Sequence, residues 1–120
     1  MKQMRKRRIY LCKRIRVGED GYREGFNLYH EPIQKWISVR PVSGEAVLAA
    51  GGEFSKGSLI AKIPIAQNDF SENDRCYISA LPPDKYDKMC KSADYRVVGI
   101  TSTQRFAEII LERAVKDAHL

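Results

Sequence analysis

The chain reads as a small, mainly β domain: an antiparallel barrel or sandwich of five to six strands, with one long loop and little helix. Three observations lead there. Apolar and polar residues alternate with period 2 in several short segments. Gly, Pro, Asn and Asp punctuate the intervals between them. The two clearest segments, Ile33–Pro41 and Ser58–Ile65, flank sixteen residues, Val42 to Gly57, rich in Gly, Ala and Ser and too long for a hairpin turn.

The first strand is expected to place Ile9, Leu11, Ile15 and Val17 on one face, with Tyr10, Cys12, Arg14 and Arg16 on the other. Gly18-Glu19-Asp20-Gly21 supplies a turn, because Gly accepts positive φ. Tyr22 to Tyr29 reads either as a short strand or as an irregular connector, and His30-Glu31-Pro32 breaks it. In the second main strand Ile37 and Val39 face one side and Trp36 the other, with Pro41 at its end.

Inside the long loop, Ser43 to Gly52 carries the signals for one or two helical turns. Ser43 is the N-cap, Glu45 lies near the positive end of the dipole, and Gly51 falls beyond the C-terminus. The third strand puts Leu59, Ala61, Ile63 and Ile65 on one face, opposite Lys62 and Pro64. Asn68 to Asp74 is a polar turn into a fourth strand, Arg75 to Ala80. Leu81-Pro82-Pro83-Asp84 stops it, and Lys85 to Ala93 forms a second exposed excursion. In the fifth strand, Asp94 to Thr101, residues Arg96, Val98 and Ile100 alternate with Tyr95 and Val97. Residues 105–113 favour helix by propensity, with Glu112 and Lys116 a good i,i+4 pair. They follow a strand after a very short connection, as a hairpin partner does, and are assigned as strand.

Length bounds the chain to one domain, 1–120, with a basic N-terminal segment 1–8. A hydrophobic content of 43% with 30% charged residues is ordinary for a globular protein. No apolar run approaches the roughly 18 residues of a membrane span. The basic start Met1–Arg8 precedes a stretch interrupted by Lys13, Arg14 and Arg16, which is not a signal peptide, so the chain is expected to remain in the cytoplasm of the cell that makes it. The net charge of +6 is uneven: residues 1–16 hold eight of the 21 basic residues and no acid, leaving 13 basic against 15 acidic residues in the remainder. Such a cluster suits contact with phosphates or an acidic surface, and equally a charged guard on an edge strand.

Chemistry is sparse. The three cysteines, Cys12, Cys76 and Cys90, show no metal spacing and read as reduced thiols, one or two of them in the core. His30 beside Glu31 reads as a surface pair, and Asp84, Asp87 and Asp94 lack the spacing of a calcium loop. No nucleotide, esterase or zinc-protease signature occurs. No catalytic residue, metal or cofactor is assigned. Tyr10, Tyr77, Tyr95 and Phe106 fall on strand segments, where stacking residues sit on oligonucleotide-binding barrels, though barrel cores use aromatics just as readily.

The order of elements resembles the head-closure (stopper, or head–tail adaptor) proteins of tailed bacteriophages. The counterparts are Arg5-Lys6-Arg7-Arg8-Ile9, the turn Gly18 to Tyr22, Trp36-Ile37-Ser38-Val39-Arg40-Pro41-Val42-Ser43-Gly44-Glu45, Asn73-Asp74-Arg75, and the closing pair Tyr95 to Ile100 and Phe106 to Ile109. The resemblance spans residues 5–115, and its most distinctive part is W-x-S/N-V-x-P-x-S/T-G. The excursion Pro82–Ala93 and the helix-forming C-terminal segment depart from the family's pattern.

The resemblance implies a structural virion protein and not an enzyme. Such a protein forms a homo-oligomeric ring, commonly a dodecamer, at the neck of the particle. It sits below a portal or adaptor protein and above a tail-completion or tail-terminator protein, and closes the channel on packaged double-stranded DNA. On this reading Ser43, Gly44, Glu45, Ala46, Gly51, Gly52, Glu53 and Lys56 belong to a loop that gates the channel or inserts between subunits. Arg5, Lys6, Arg7, Arg8 and Arg40 meet DNA or the portal, with Lys56 also near phosphate, and Lys85, Lys88 and Lys91 meet the component below. No membrane contact is expected. The rival reading is a small nucleic-acid-binding barrel of oligonucleotide-binding type, using the first strand and its aromatics.

Overall fold

The computed structural model describes residues 5–42 and 57–114. Six antiparallel strands form a closed barrel: β1 (Arg5–Cys12), β2 (Ile33–Pro41), β3 (Leu59–Pro64), β4 (Arg75–Tyr77), β5 (Tyr95–Ser102) and β6 (Phe106–Arg113). Their order around the barrel is β1-β2-β3-β6-β5-β4. The mainly β expectation holds, and a single 3-10 turn, Ile65–Gln67, is the only helical element among the described residues.

The alternation read from the sequence places the core. Ile9 and Leu11, Ile37 and Val39, Leu59, Ala61 and Ile63, Tyr95 and Val97, and Ala107, Ile109 and Leu111 all point inward and are buried. The β6 assignment therefore holds against local propensity. Ala61↔Ile109 and Leu59↔Leu111 pair across β3–β6, and burying every second residue outweighs a helix preference of a few tenths of a kcal/mol per residue, by roughly 1.5–3 kcal/mol for each large side chain. Phe70, carried by the 68–74 turn, joins the same core.

Four strand expectations are corrected. The first strand stops at Cys12: Val17 is 80% exposed, and Ile15 is buried through an isolated bridge between Arg14 and Tyr29 instead of a continued ladder. The third stops at Pro64, and Ile65 enters the 3-10 turn half exposed. The fourth is three residues long because the Asp94 carboxylate intercepts the next backbone N–H groups, those of Ile78 (2.9 Å), Ser79 (2.8 Å) and Ala80 (3.2 Å). In β5 a bulge between Val97 and Gly99 shifts the register. Ile100 then pairs with Ile109 and packs against the core, so it does not share the outer face of Arg96.

Tyr22 to Tyr29 is an irregular connector. The 81–93 excursion is a lobe and not an extended arm. Its Cys90 and Ala93 bury Cys12, Tyr29 and Tyr77 in a second cluster outside the barrel wall, with Tyr10 packed against it. Tyr29 N–H donates to the Lys88 carbonyl at 2.8 Å, and the Tyr86 hydroxyl donates to the Tyr29 carbonyl. All three cysteines are therefore buried, Cys76 within the barrel and the other two beneath the lobe.

Candidate functional site

Register brings the sequence-predicted elements to one rim of the barrel. Arg5 pairs with Val39, Pro41 with Leu59, Leu59 with Leu111, and Tyr95 with Arg113. The start of β1 and both roots of the 42–57 loop thus share an end. The loop's base is clamped: Val42 N–H donates to the Ser58 carbonyl at 2.9 Å, and the Tyr95 hydroxyl to the Gly57 carbonyl at 3.3 Å. Gly57 takes φ +88°, which favours glycine at this root, and a Cβ there would also crowd the Arg113 side chain, 3.1 Å from its Cδ. Ser43, Gly44, Glu45, Ala46, Gly51, Gly52, Glu53 and Lys56, with the predicted helical turns at 43–52, lie outside the described residues.

Arg5, Lys6, Arg7 and Arg8 are exposed within β1. β4 covers only Tyr10–Cys12, so the opposite edge of Arg5–Ile9 has no ladder partner among the described residues. Four successive cations on such an edge repel a second strand and attract anions. Arg40 differs from them: it is half-buried on the barrel's outer wall, its guanidinium 3.8 Å from the Glu108 carboxylate. Its charge is engaged away from the rim.

Lys85, Lys88 and Lys91 are exposed on the lobe. Lys91 borders a groove of ≈ 470 Å³ whose lining includes Phe26, Tyr29, Arg75, Arg96 and Arg113. Arg75 and Arg96 are direct cross-strand neighbours, and Arg75 lies 5.5 Å over the Tyr29 ring while donating to the Cys90 carbonyl at 3.2 Å. Glu112, 3.5 Å from Arg96, offsets one of these charges. This groove was not legible in the sequence, because its cations come from β4, β5, β6 and the lobe.

Of the two readings open for the strand aromatics, stacking and core packing, packing holds for most of them. Tyr95 faces into the barrel, and Tyr77, though on the outer side of β4, is covered by the lobe. Tyr10 is half-buried against the same cluster. Phe106 remains partly exposed, with the Lys62 ammonium 4.3 Å above its ring. Two strongly exposed aromatics lie beside basic residues: Phe26 in the groove by the lobe, and Trp36, 61% exposed and paired with Arg8. Its place on the polar face of β2 was readable from the alternation; its meaning was not, since the cations around it come from other strands.

At the opposite rim Asp74 is fully buried and accepts from the Arg14 N–H (2.9 Å), the Ser71 N–H (2.9 Å) and the Lys13 ammonium (3.0 Å). The Lys35 ammonium donates to Asp69 beside it. His30 pairs with Glu19 at 2.8 Å and not with its neighbour Glu31. The Arg16 N–H first, and His30 second, hold the Glu19 carboxyl below its usual range. Burial pushes the Cys76 thiol well above its ordinary range, away from the thiolate. Asp94 caps Ile78–Ala80, and Asp87 accepts from the Met89 and Lys91 N–H groups, both at 3.0 Å. Among the described residues no three His, Cys, Asp or Glu side chains are grouped to hold a metal ion. The geometry offers charged and aromatic surfaces for binding, arranged around a rigid wall.

No family model and no curated protein matches the chain. Among solved structures it is similar to the solution structure of protein SF1141 from Shigella flexneri 2a, with a TM-score of 0.63 and 17% identity over 96% of each chain. The likeness spans the whole barrel, and at that identity it establishes a shared fold.

Proposed function

We propose that the protein is a neck component of a tailed bacteriophage: a ring subunit between portal and tail that closes the DNA channel after packaging and presents a surface for tail attachment. The observation that carries this reading is the shared rim. A cationic strand start and both roots of a sixteen-residue Gly/Ala/Ser loop leave the same end of a closed barrel. The resemblance of Trp36-Ile37-Ser38-Val39-Arg40-Pro41-Val42-Ser43-Gly44 to head-closure proteins supports it independently.

The physics suits the role. A closed barrel is a stiff wedge with few exposed ladder edges. A sixteen-residue loop that leaves and returns at one clamped base can reach at most half its contour, about 25 Å at roughly 3.3 Å per residue, which exceeds the radius of a DNA duplex. In a ring, many weak loop contacts act together through effective concentration. Small residues allow loops to converge closely, and Glu45 and Glu53 beside Lys56 would keep the lumen from clamping DNA. Arg5–Arg8 would engage the portal or DNA, and the lysines of the lobe the next component down.

Deletion of residues 45–54 tests this. The barrel should stay folded, with a melting temperature within a few degrees of the parent, while DNA retention and infectious yield fall. A normal yield from the folded deletion variant would contradict the reading.

A further inference from the structure

The ring role draws on the outer wall of β1, β2, β3 and β6 only through Lys6 and Arg8 of β1. Its side chains follow from the register. One row runs Lys6, Ser38, Lys62, Glu108, and the next carries Arg8 opposite Trp36, with Pro64 opposite Phe106. A groove of ≈ 540 Å³ opens there, lined in part by Lys6, Gln34, Trp36, Ser38, Lys62 and Gln67. Lys6, Arg8 and Lys62 are exposed, and the acids on this wall, Glu108 and Glu112, are engaged by Arg40 at 3.8 Å and Arg96 at 3.5 Å.

Trp36 decides what such a groove can hold. Leaving an indole 61% exposed forgoes a large burial gain, so a ligand that covers the ring would recover it. Centres of protein interfaces are depleted of charge and ring their aromatic anchors with apolar contacts. Trp36 instead has Arg8, Lys6 and Lys62 around it, with the neutral hydrogen-bonding groups of Gln34, Ser38 and Gln67. That is the pattern of a nucleic-acid surface: a π face for a base, cations for phosphates, amides and hydroxyls for base edges. Lys6 and Arg8, two residues apart on one strand, lie roughly 6.6 Å apart, near the phosphate repeat of an extended single strand. A duplex keeps its bases stacked and cannot offer one to Trp36 without paying to unstack it.

We propose that this wall binds single-stranded nucleic acid, with Trp36 stacking on a base and Lys6, Arg8 and Lys62 holding the phosphates. The proposal does not rest on the ring role: its stacking residue, Trp36, and Lys62 are not used there, although Lys6 and Arg8 belong to the segment assigned there to the portal or DNA. It also replaces the tyrosines expected from the sequence with an aromatic on the neighbouring strand.

The chain has one tryptophan, so its emission reports on this face directly. The full-length protein is titrated with a twelve-residue oligothymidylate, the matching duplex and a hexaglutamate peptide. The single strand should quench Trp36, with an affinity falling in salt at a log–log slope of about −2 for three phosphates. Trp36→Ala, read with a fluorescein-labelled oligothymidylate, should weaken binding about 5- to 150-fold, the alanine cost of one stacked base. Trp36→Phe should restore most of it, and Lys62→Gln should flatten the salt slope by about 0.7. Far-UV circular dichroism and thermal melting establish that each variant is folded. Three results would overturn the proposal: no quenching by the single strand, unchanged affinity in the folded Trp36→Ala variant, or quenching by hexaglutamate alone, which would assign the wall to an acidic protein.

Discussion

At the scale of single residues, the carboxylates organise this protein more than they decorate it. Asp94 alone satisfies three consecutive N–H groups and so ends β4 after three residues. Asp94→Ala leaves those donors without their acceptor, and an unsatisfied buried or half-buried group costs about 1–3 kcal/mol. Urea denaturation should therefore show a midpoint lowered accordingly, with faster amide exchange at Ile78–Ala80. An unchanged midpoint and unchanged exchange would mean the cap is dispensable. None of this was legible in the sequence, where Asp84, Asp87 and Asp94 look alike. What distinguishes Asp94 is the fold bringing β4 beside the start of β5. The same limit explains Trp36 and the tyrosines: alternation tells which wall a side chain leaves by, and only tertiary packing tells whether that wall is covered.

At the scale of elements, period-2 patterning and turn punctuation located the first five strands, and the very short connection after β5 located β6, whose composition favours helix. The test of β6 is its asymmetry. Ile109→Ala, in the centre of the core, should cost about 2–5 kcal/mol, whereas Glu108→Ala next to it, on the outer wall, should cost within about 1 kcal/mol. Equal costs in chemical denaturation would contradict an alternating strand. Where patterning failed, an unpatterned event intervened. A bulge at Val97/Gly99 turned Ile100 toward the core, the lobe covered the outer side of β1 and β4, and the first strand ended at the bridge near Tyr29. A bulge inserts one residue with no compositional mark beyond a glycine, here Gly99, that the sequence also uses elsewhere.

At the scale of the whole molecule, closure of six short strands into a barrel sets the two proposed binding surfaces side by side, joined along β1. One is the rim where Arg5–Arg8 and the loop roots meet; the other is the wall around Trp36. The sequence foretold the ingredients of the rim, because a long loop and a charge cluster are both local features. It could not foretell that they share an end, which follows from the antiparallel order β1-β2-β3. The most direct test of the neck role is DNA retention by packaged, tailless phage heads with and without the purified protein. Binding at the portal vertex and retention of the genome is the predicted result. Protein that leaves heads unbound and leaking, while binding free single strands tightly, would contradict the closure role and leave the Trp36 wall as the working surface.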